Sequence, residues 1–162
     1  LGLGGYILNS MSSRNDLVPV GEAAPLFNAR GSDGSIISLE SFKGKKVVLV
    51  FYPGDNTPVC TAQLCAIRDT WDSLQSANAV VFGVNPASQS KHADFASKYK
   101  LPFPLIVDEA GEISKAYGCR AIFGIVKRTV YVIDEYGKVV WAKRGNPDPD
   151  TILKTISAAK SS

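Results

Sequence analysis

Three cysteines, one histidine and one methionine are all that the 162-residue chain has of those types. Each scarcity excludes something. A secreted domain stapled by disulfides carries a denser and usually even set of cysteines, so three point instead to functional thiols in a reducing compartment, the cytoplasm. A single histidine, His92, cannot build a histidine-rich metal site, and three scattered cysteines do not make a zinc cluster. A serine-type or papain-like triad needs a positioned histidine, and His92 follows Cys60 with no local signature. His92 lies in "SKHADFASKY", which reads as a polar helix face, so an exposed histidine without function is expected. No apolar run approaches the roughly 18 residues of a membrane helix. The opening "LGLGGYIL" has no basic residue ahead of it and no small-residue cleavage pattern, which makes it a poor signal peptide. The net charge is only +3, and the lysines are scattered apart from "KGKK" at 43–46, so neither a nucleic-acid nor a membrane partner is expected.

What is present suits one domain. The chain is 45% hydrophobic and long enough to bury a core. Met11 heads a plausible start, so residues 1–10 read as a cloning scar or processed remnant, residues 1–17 as a flexible tail, and 18–162 as the domain. "NARGSDGSIISLESF" reads as a hairpin around Asp33-Gly34. "KKVVLVFY" (45–52) is a continuous apolar run, the mark of a strand buried on both faces, and Pro53 ends it. A helix pattern from about Pro58 to Gln75 follows, then "AVVFGVN" (79–85) as a second buried strand. Residues 88–99 read as a helix, 103–108 as a strand and "GEISKAYG" as a short helix. "RTVYVIDEYGKVVWAKRG" (128–145) reads as an antiparallel hairpin turning at Tyr136-Gly137, before a closing helix capped near Asp148 or Asp150. This order predicts an α/β protein: a thioredoxin-like fold with a central mixed sheet, flanking helices and an N-terminal β-hairpin.

The stretch "FYPGDNTPVCTAQLC" (51–65) places Cys60 and Cys65 five positions apart at the start of a predicted helix. Cys60, Leu64, Ile67, Trp71 and Leu74 recur at helical spacing and share one face. Pro58 suits the first turn, which needs no N–H partner, and Thr57 is placed as the N-cap. A thiol at a helix N-terminus meets unpaired N–H groups and the positive end of the dipole, both of which favour thiolate, the nucleophilic form. Position alone leaves open the reading of Cys60 as a small buried hydrophobe.

Pro53, Thr57 and Cys60 form the pattern P-x-x-x-T-x-x-C, and the block "VVLVFYPGDNTPVCTAQLCAIRD" resembles the peroxiredoxin Q subfamily, also called bacterioferritin comigratory protein. The resemblance extends through "FASKYKLPFPLIVDEAGEISKAYG" and "RTVYVIDEYGKVV", over roughly residues 18–158. It implies a thiol peroxidase for hydrogen peroxide and organic hydroperoxides that needs no metal, haem or flavin. By the resemblance, Cys60 is the peroxidatic cysteine that attacks the O–O bond. Thr57 supplies a hydroxyl to thiolate and peroxide, Pro53 shields the thiolate from water, and Arg128 stabilises the thiolate and polarises the peroxide. The physics agrees, because fixed donors and a cation lower the barrier to a leaving oxygen that gains negative charge. The subfamily commonly reads "TPGC"; this chain has "TPVC", with Val59, as in one-cysteine peroxiredoxins, which are longer.

The resemblance also makes Cys65 the resolving cysteine, closing an intramolecular disulfide with Cys60 that thioredoxin or a similar dithiol reduces. On an ideal helix, five residues rise about 7.5 Å and turn about 500°, so the two Cα atoms would lie roughly 8.5 Å apart. A disulfide needs them within about 7 Å, so the helix must unwind first. Cys119, in "AYGCRAIFG", matches no functional position and stands as the fallback resolver. The apolar residues after it, "AIFGIV", either line an entrance for alkyl hydroperoxides or belong to the core. A monomer is expected. Two other functions compete. One is a thioredoxin-type dithiol–disulfide oxidoreductase, which usually uses C-x-x-C; the other is a redox sensor or chaperone-like binding module without turnover.

Overall fold

The computed structural model describes residues 13–158. The segment read as a tail falls outside those residues as far as residue 12, and the end of the domain does so from residue 159. From Arg14 the chain lies against the domain: the Arg14 N–H donates to the Lys115 carbonyl (3.1 Å), and Val18 is buried. Seven strands form one mixed sheet, β1 (Asn28–Gly31), β2 (Ile36–Ser38), β3 (Lys46–Phe51), β4 (Ala79–Asn85), β5 (Leu105–Val107), β6 (Thr129–Ile133) and β7 (Val139–Arg144), in the order β2-β1-β5-β4-β3-β6-β7. The helices are α1 (Pro58–Asp69), α2 (Trp71–Ser76), α3 (Gln89–Lys98), α4 (Glu112–Ala116) and α5 (Pro149–Ala158). Among the described residues, no helix is long and apolar enough to cross a membrane.

The strand β3 is central, parallel to β4 and antiparallel to β6. Side chains alternate across a strand, so both faces of β3 must be covered for all six of its residues to be buried. Val47, Leu49 and Phe51 enter one layer with Phe82, Tyr117 and Tyr131. Val48, Val50 and the following Tyr52 enter the other, with Cys60, Leu64 and Ile67 of α1, Phe95 of α3 and Ile152 of α5. Gly83 of β4 permits this packing, since a Cβ there would stand 2.7 Å from Leu105 and 3.0 Å from the Tyr52 ring. The sheet thus ends at its carboxyl edge in Tyr52 and Asn85, directly before the segment 53–57 and α1.

The hairpins at Asp33-Gly34 and Tyr136-Gly137 form as the sequence predicts. In the second, Asp134 Oδ1 accepts the N–H groups of Tyr136 and Lys138, and Gly137 turns at φ +84°. Asp148 is the residue at the head of α5, its carboxylate accepting the Thr151 N–H at 2.9 Å. The expected single helix from Pro58 to Gln75 is two helices. At Thr70 the backbone leaves helical geometry (φ −103°, ψ 5°) while its hydroxyl donates to the Ala66 carbonyl at 3.0 Å. A threonine hydroxyl bonded back to the preceding turn competes with the backbone ladder and bends the helix there.

Candidate active site

Cys60 is the third residue of α1, after Pro58 and Val59, and its side chain is wholly buried under the second core layer. The first turn closes with the Thr61 N–H on the Thr57 carbonyl at 2.9 Å. Pro58 has no N–H, so the donors without an intrahelical partner at this helix end are those of Thr57, Val59 and Cys60 itself. Thr57 occupies the N-cap position with extended backbone (φ −85°, ψ 147°), but its hydroxyl does not cap the helix. It donates instead to the Gly54 carbonyl, at 3.3 Å, which corrects the expectation from sequence. A hydroxyl that donates to that local acceptor leaves its lone pairs to accept from an incoming O–H, and the helix N–H groups to donate to an anion.

Arg128, just ahead of β6, reaches across to the same point. Its Nη2 lies 3.2 Å from Cys60 Sγ, and its Nη1 donates to Gln63 Oε1 at 2.7 Å. Gln63 is 2% exposed, and its Nε2 has no partner. A guanidinium keeps its charge, so a fixed cation faces a sulfur that is itself buried from water, where its field is strong. Strand β6 pairs with β3, through Thr129 with Phe51, and that register brings an arginine nearly seventy positions away in sequence to the first turn of α1. Such an arrangement stabilises a thiolate and then a departing oxygen anion.

Pro53 is exposed and begins the segment 53–57, whose residue Asn56 is left-handed at φ +64°. Cys65 lies one and a half turns beyond Cys60 on the same continuous helix, half-buried, with both thiols free. Cys119 is free and buried, in contact with the Tyr117 carbonyl (3.4 Å) and Arg144 Nη1 (3.8 Å) rather than with Arg128. Burial pushes its thiol up to about 11, against the lowering effect of Thr129 and Arg144. Of the apolar residues after it, Ile122, Phe123 and Ile125 are exposed, Phe123 by 91%, whereas Val126 joins the core. A surface hollow lined by Ser32, Lys100, Leu101 and Phe103 contains none of these groups.

His92 is not the exposed residue that the sequence suggests. It is completely buried, its Nδ1 2.7 Å from Asp55 Oδ2 and its Nε2 3.3 Å from the Asn85 carbonyl. The polar look of "SKHADFASKY" hid an inward stripe of His92, Phe95, Ala96 and Tyr99, at i, i+3, i+4 and i+7. Gln63 was missed too; its signal was a polar residue one helical step from Cys60, beside an apolar face. Among the described residues, no three His, Cys, Asp or Glu side chains gather as metal ligands.

Comparison with known proteins bears on this geometry. The AhpC/TSA family model matches residues 20–142. The chain is 40% identical over 149 residues to the chloroplastic peroxiredoxin Q of Oryza sativa subsp. japonica, covering 88% of this chain and 69% of that protein. It is 40% identical over 135 residues to a protein of Coxiella burnetii named for peroxiredoxin bcp, covering 78% of this chain and 89% of the relative. The crystal structure of peroxidoxin BcpB from Mycobacterium tuberculosis superposes with a TM-score of 0.81 at 29% identity, over 88% of this chain and 98% of that one. A structure of Xanthomonas campestris peroxiredoxin Q gives 0.77 at 25% identity, over 82% and 90%. The fold is therefore the thioredoxin-like fold of the peroxiredoxins, and the chain belongs to the AhpC/TSA family, in its peroxiredoxin Q and bcp group.

Proposed function

We propose that Cys60 is the thiol through which this peroxidase reduces its substrate, and that Cys65 resolves the product. The observation that carries the reading is the Arg128 guanidinium 3.2 Å from Cys60 Sγ at the start of α1. The Cys60 thiolate attacks one peroxide oxygen, the O–O bond breaks, and the departing oxygen leaves as water or alcohol after taking a proton. Cys60 is then a sulfenic acid. The Cys65 thiolate attacks that sulfur, forms the disulfide and expels hydroxide, which leaves as water. A dithiol reductant, thioredoxin or one like it, restores both thiols by exchange. Thr57 and Pro53 complete the site: the hydroxyl for hydrogen bonding to peroxide, the ring as a cover against water.

Organic hydroperoxides belong with hydrogen peroxide among the substrates. The exposed Ile122, Phe123 and Ile125, in the loop that leads into Arg128, support this reading by offering an alkyl group an apolar surface. Three free cysteines suit a reducing compartment such as the cytoplasm, and we read the chain as a monomer. Placing both cysteines on one continuous helix disfavours the dithiol-oxidoreductase reading, in which two sulfurs must bridge without local melting.

The test is peroxide consumption with and without thioredoxin in three proteins. Wild type should turn over only with the reductant, Cys60→Ser should not react, and Cys65→Ser should be oxidised once without thioredoxin-dependent recycling. Undiminished turnover in Cys60→Ser would refute the assignment. Disulfide reduction without peroxidase activity would favour the oxidoreductase reading, and oxidation without turnover the sensor reading.

A further inference from the structure

The segment 53–57 joins β3 to α1 and carries Pro53 and Thr57, yet it sends only one side chain inward. Pro53, Asn56 and Thr57 are exposed, Gly54 has no side chain, and the Asp55 side chain is 4% exposed. Three donors from three elements converge on that carboxylate. The Tyr52 hydroxyl, from the residue just after β3, donates to Oδ1 at 2.6 Å. Asn85 Nδ2, at the end of β4, donates to the same oxygen at 3.0 Å. His92 Nδ1, from α3, meets Oδ2 at 2.7 Å. The Asn85 amide is fixed in this sense because its Oδ1 accepts the Ala87 N–H at 2.8 Å.

The second ring nitrogen of His92 faces the Asn85 carbonyl at 3.3 Å. A carboxylate only accepts, so the ring nitrogen that meets Asp55 is the donor of that bond. Burial first, then the charge and hydrogen bond of Asp55, hold the Tyr52 hydroxyl well above its ordinary range, so it remains a donor. Tyr52 lies in the same core layer as Cys60. Lys91 and Asp94, the nearest charged residues of α3 in sequence, are exposed and take no part in these bonds.

We propose that His92 is a positioning residue for peroxide reduction: through Asp55 it clamps the segment 53–57, and with it Pro53 and Thr57, over the Cys60 thiol. The inference rests on the reading of Cys60 as the attacking thiol. Without the histidine, Asp55 loses the donor to its Oδ2 and the segment loses a tie to α3. A displacement of about 1 Å in such a positioning group can cost on the order of a hundredfold in rate.

Nitrogen-15 spectroscopy of the reduced wild-type protein reads the clamp directly, because the chain has one histidine. A proton on Nδ1, slow to exchange with solvent, is expected; an unprotonated Nδ1 would overturn the proposal. In parallel, His92→Leu should react with hydrogen peroxide tens of times more slowly, with faster amide exchange at residues 54–57. His92→Gln, whose amide can donate to Asp55, should recover much of the rate. A wild-type rate in folded His92→Leu would overturn the positioning role and leave Cys60 in place. Undiminished turnover in Cys60→Ser would overturn the reading of Cys60 and leave the Nδ1 signal untouched.

Discussion

Arg128→Met separates two contributions that the guanidinium makes at once. One is the donor Nη2, 3.2 Å from Cys60 Sγ, whose hold passes to the departing oxygen as charge leaves the sulfur and develops there. Removing one such donor typically costs about 3 kcal/mol, on the order of a hundredfold in rate. The other is structural. Gln63 already has an unpartnered Nε2, and losing Arg128 leaves its Oε1 unpartnered as well, inside a side chain 2% exposed. A buried polar group left unpaired costs about 1–3 kcal/mol, so Arg128→Met should also melt earlier. The double variant Arg128→Met/Gln63→Leu removes both orphaned atoms, and it should regain stability without regaining rate. The assay mixes reduced protein with hydrogen peroxide, quenches with an alkylating agent at set times and counts oxidised Cys60 by mass spectrometry, alongside thermal melts. If Arg128→Met reacted at close to the wild-type rate, the electrostatic account of the site would be wrong. If the double variant recovered both stability and rate, the loss would have been one of packing.

Thr57→Val should slow peroxide reduction while changing stability by less than about 0.5 kcal/mol, because its hydroxyl bonds to Gly54 and not to the helix. A drop of about 1 kcal/mol in a denaturant titration would instead mark Thr57 as a working cap. Cys65→Ser, given excess peroxide, should accumulate the sulfinic form of Cys60, since nothing then captures the sulfenic acid; mass spectrometry showing none would place the resolving thiol elsewhere. Cys119, pushed up to about 11 by burial, stays a thiol in the folded state while the unfolded chain ionises near its ordinary 9.0. The unfolded state then binds fewer protons, so its burial stabilises the fold below about pH 9 and that contribution is lost as pH rises towards 11. Cys119→Ala should therefore flatten the alkaline limb of stability against pH, and an unchanged slope would contradict the burial.

Much of this was legible in the sequence wherever a pattern had one physical cause. The run 45–52 announced a strand covered on both faces, and β3 is buried at every position. The turn at Tyr136-Gly137 and the placing of Cys60 at a helix start depended on neighbouring residues alone. The fit of Arg128 to Cys60 came from family resemblance, since no local signal joins residues that meet only through the pairing of β3 with β6. Reading stopped where side chains choose between partners. Thr70 looked like any helix residue, yet its hydroxyl bond to Ala66 ends α1. His92 read as a surface polar group; it is buried because it and Asp55 satisfy one another, and 37 positions separate them. Gln63 likewise keeps a buried place through a partner just ahead of β6.

We infer that Cys60 and Cys65 cooperate by melting the helix that holds them. In the folded form both belong to one unbroken α1, where ideal geometry sets their Cα atoms roughly 8.5 Å apart, beyond the reach of a disulfide at about 7 Å. Hydrogen exchange on the reduced protein and on the peroxide-oxidised protein, with the disulfide mapped in the same sample, tests this most directly. The account predicts a Cys60–Cys65 bond, a sharp loss of protection across residues 58–66, and unchanged protection in β3. Unchanged protection of α1 on oxidation, or a bond between Cys60 and Cys119, would contradict it.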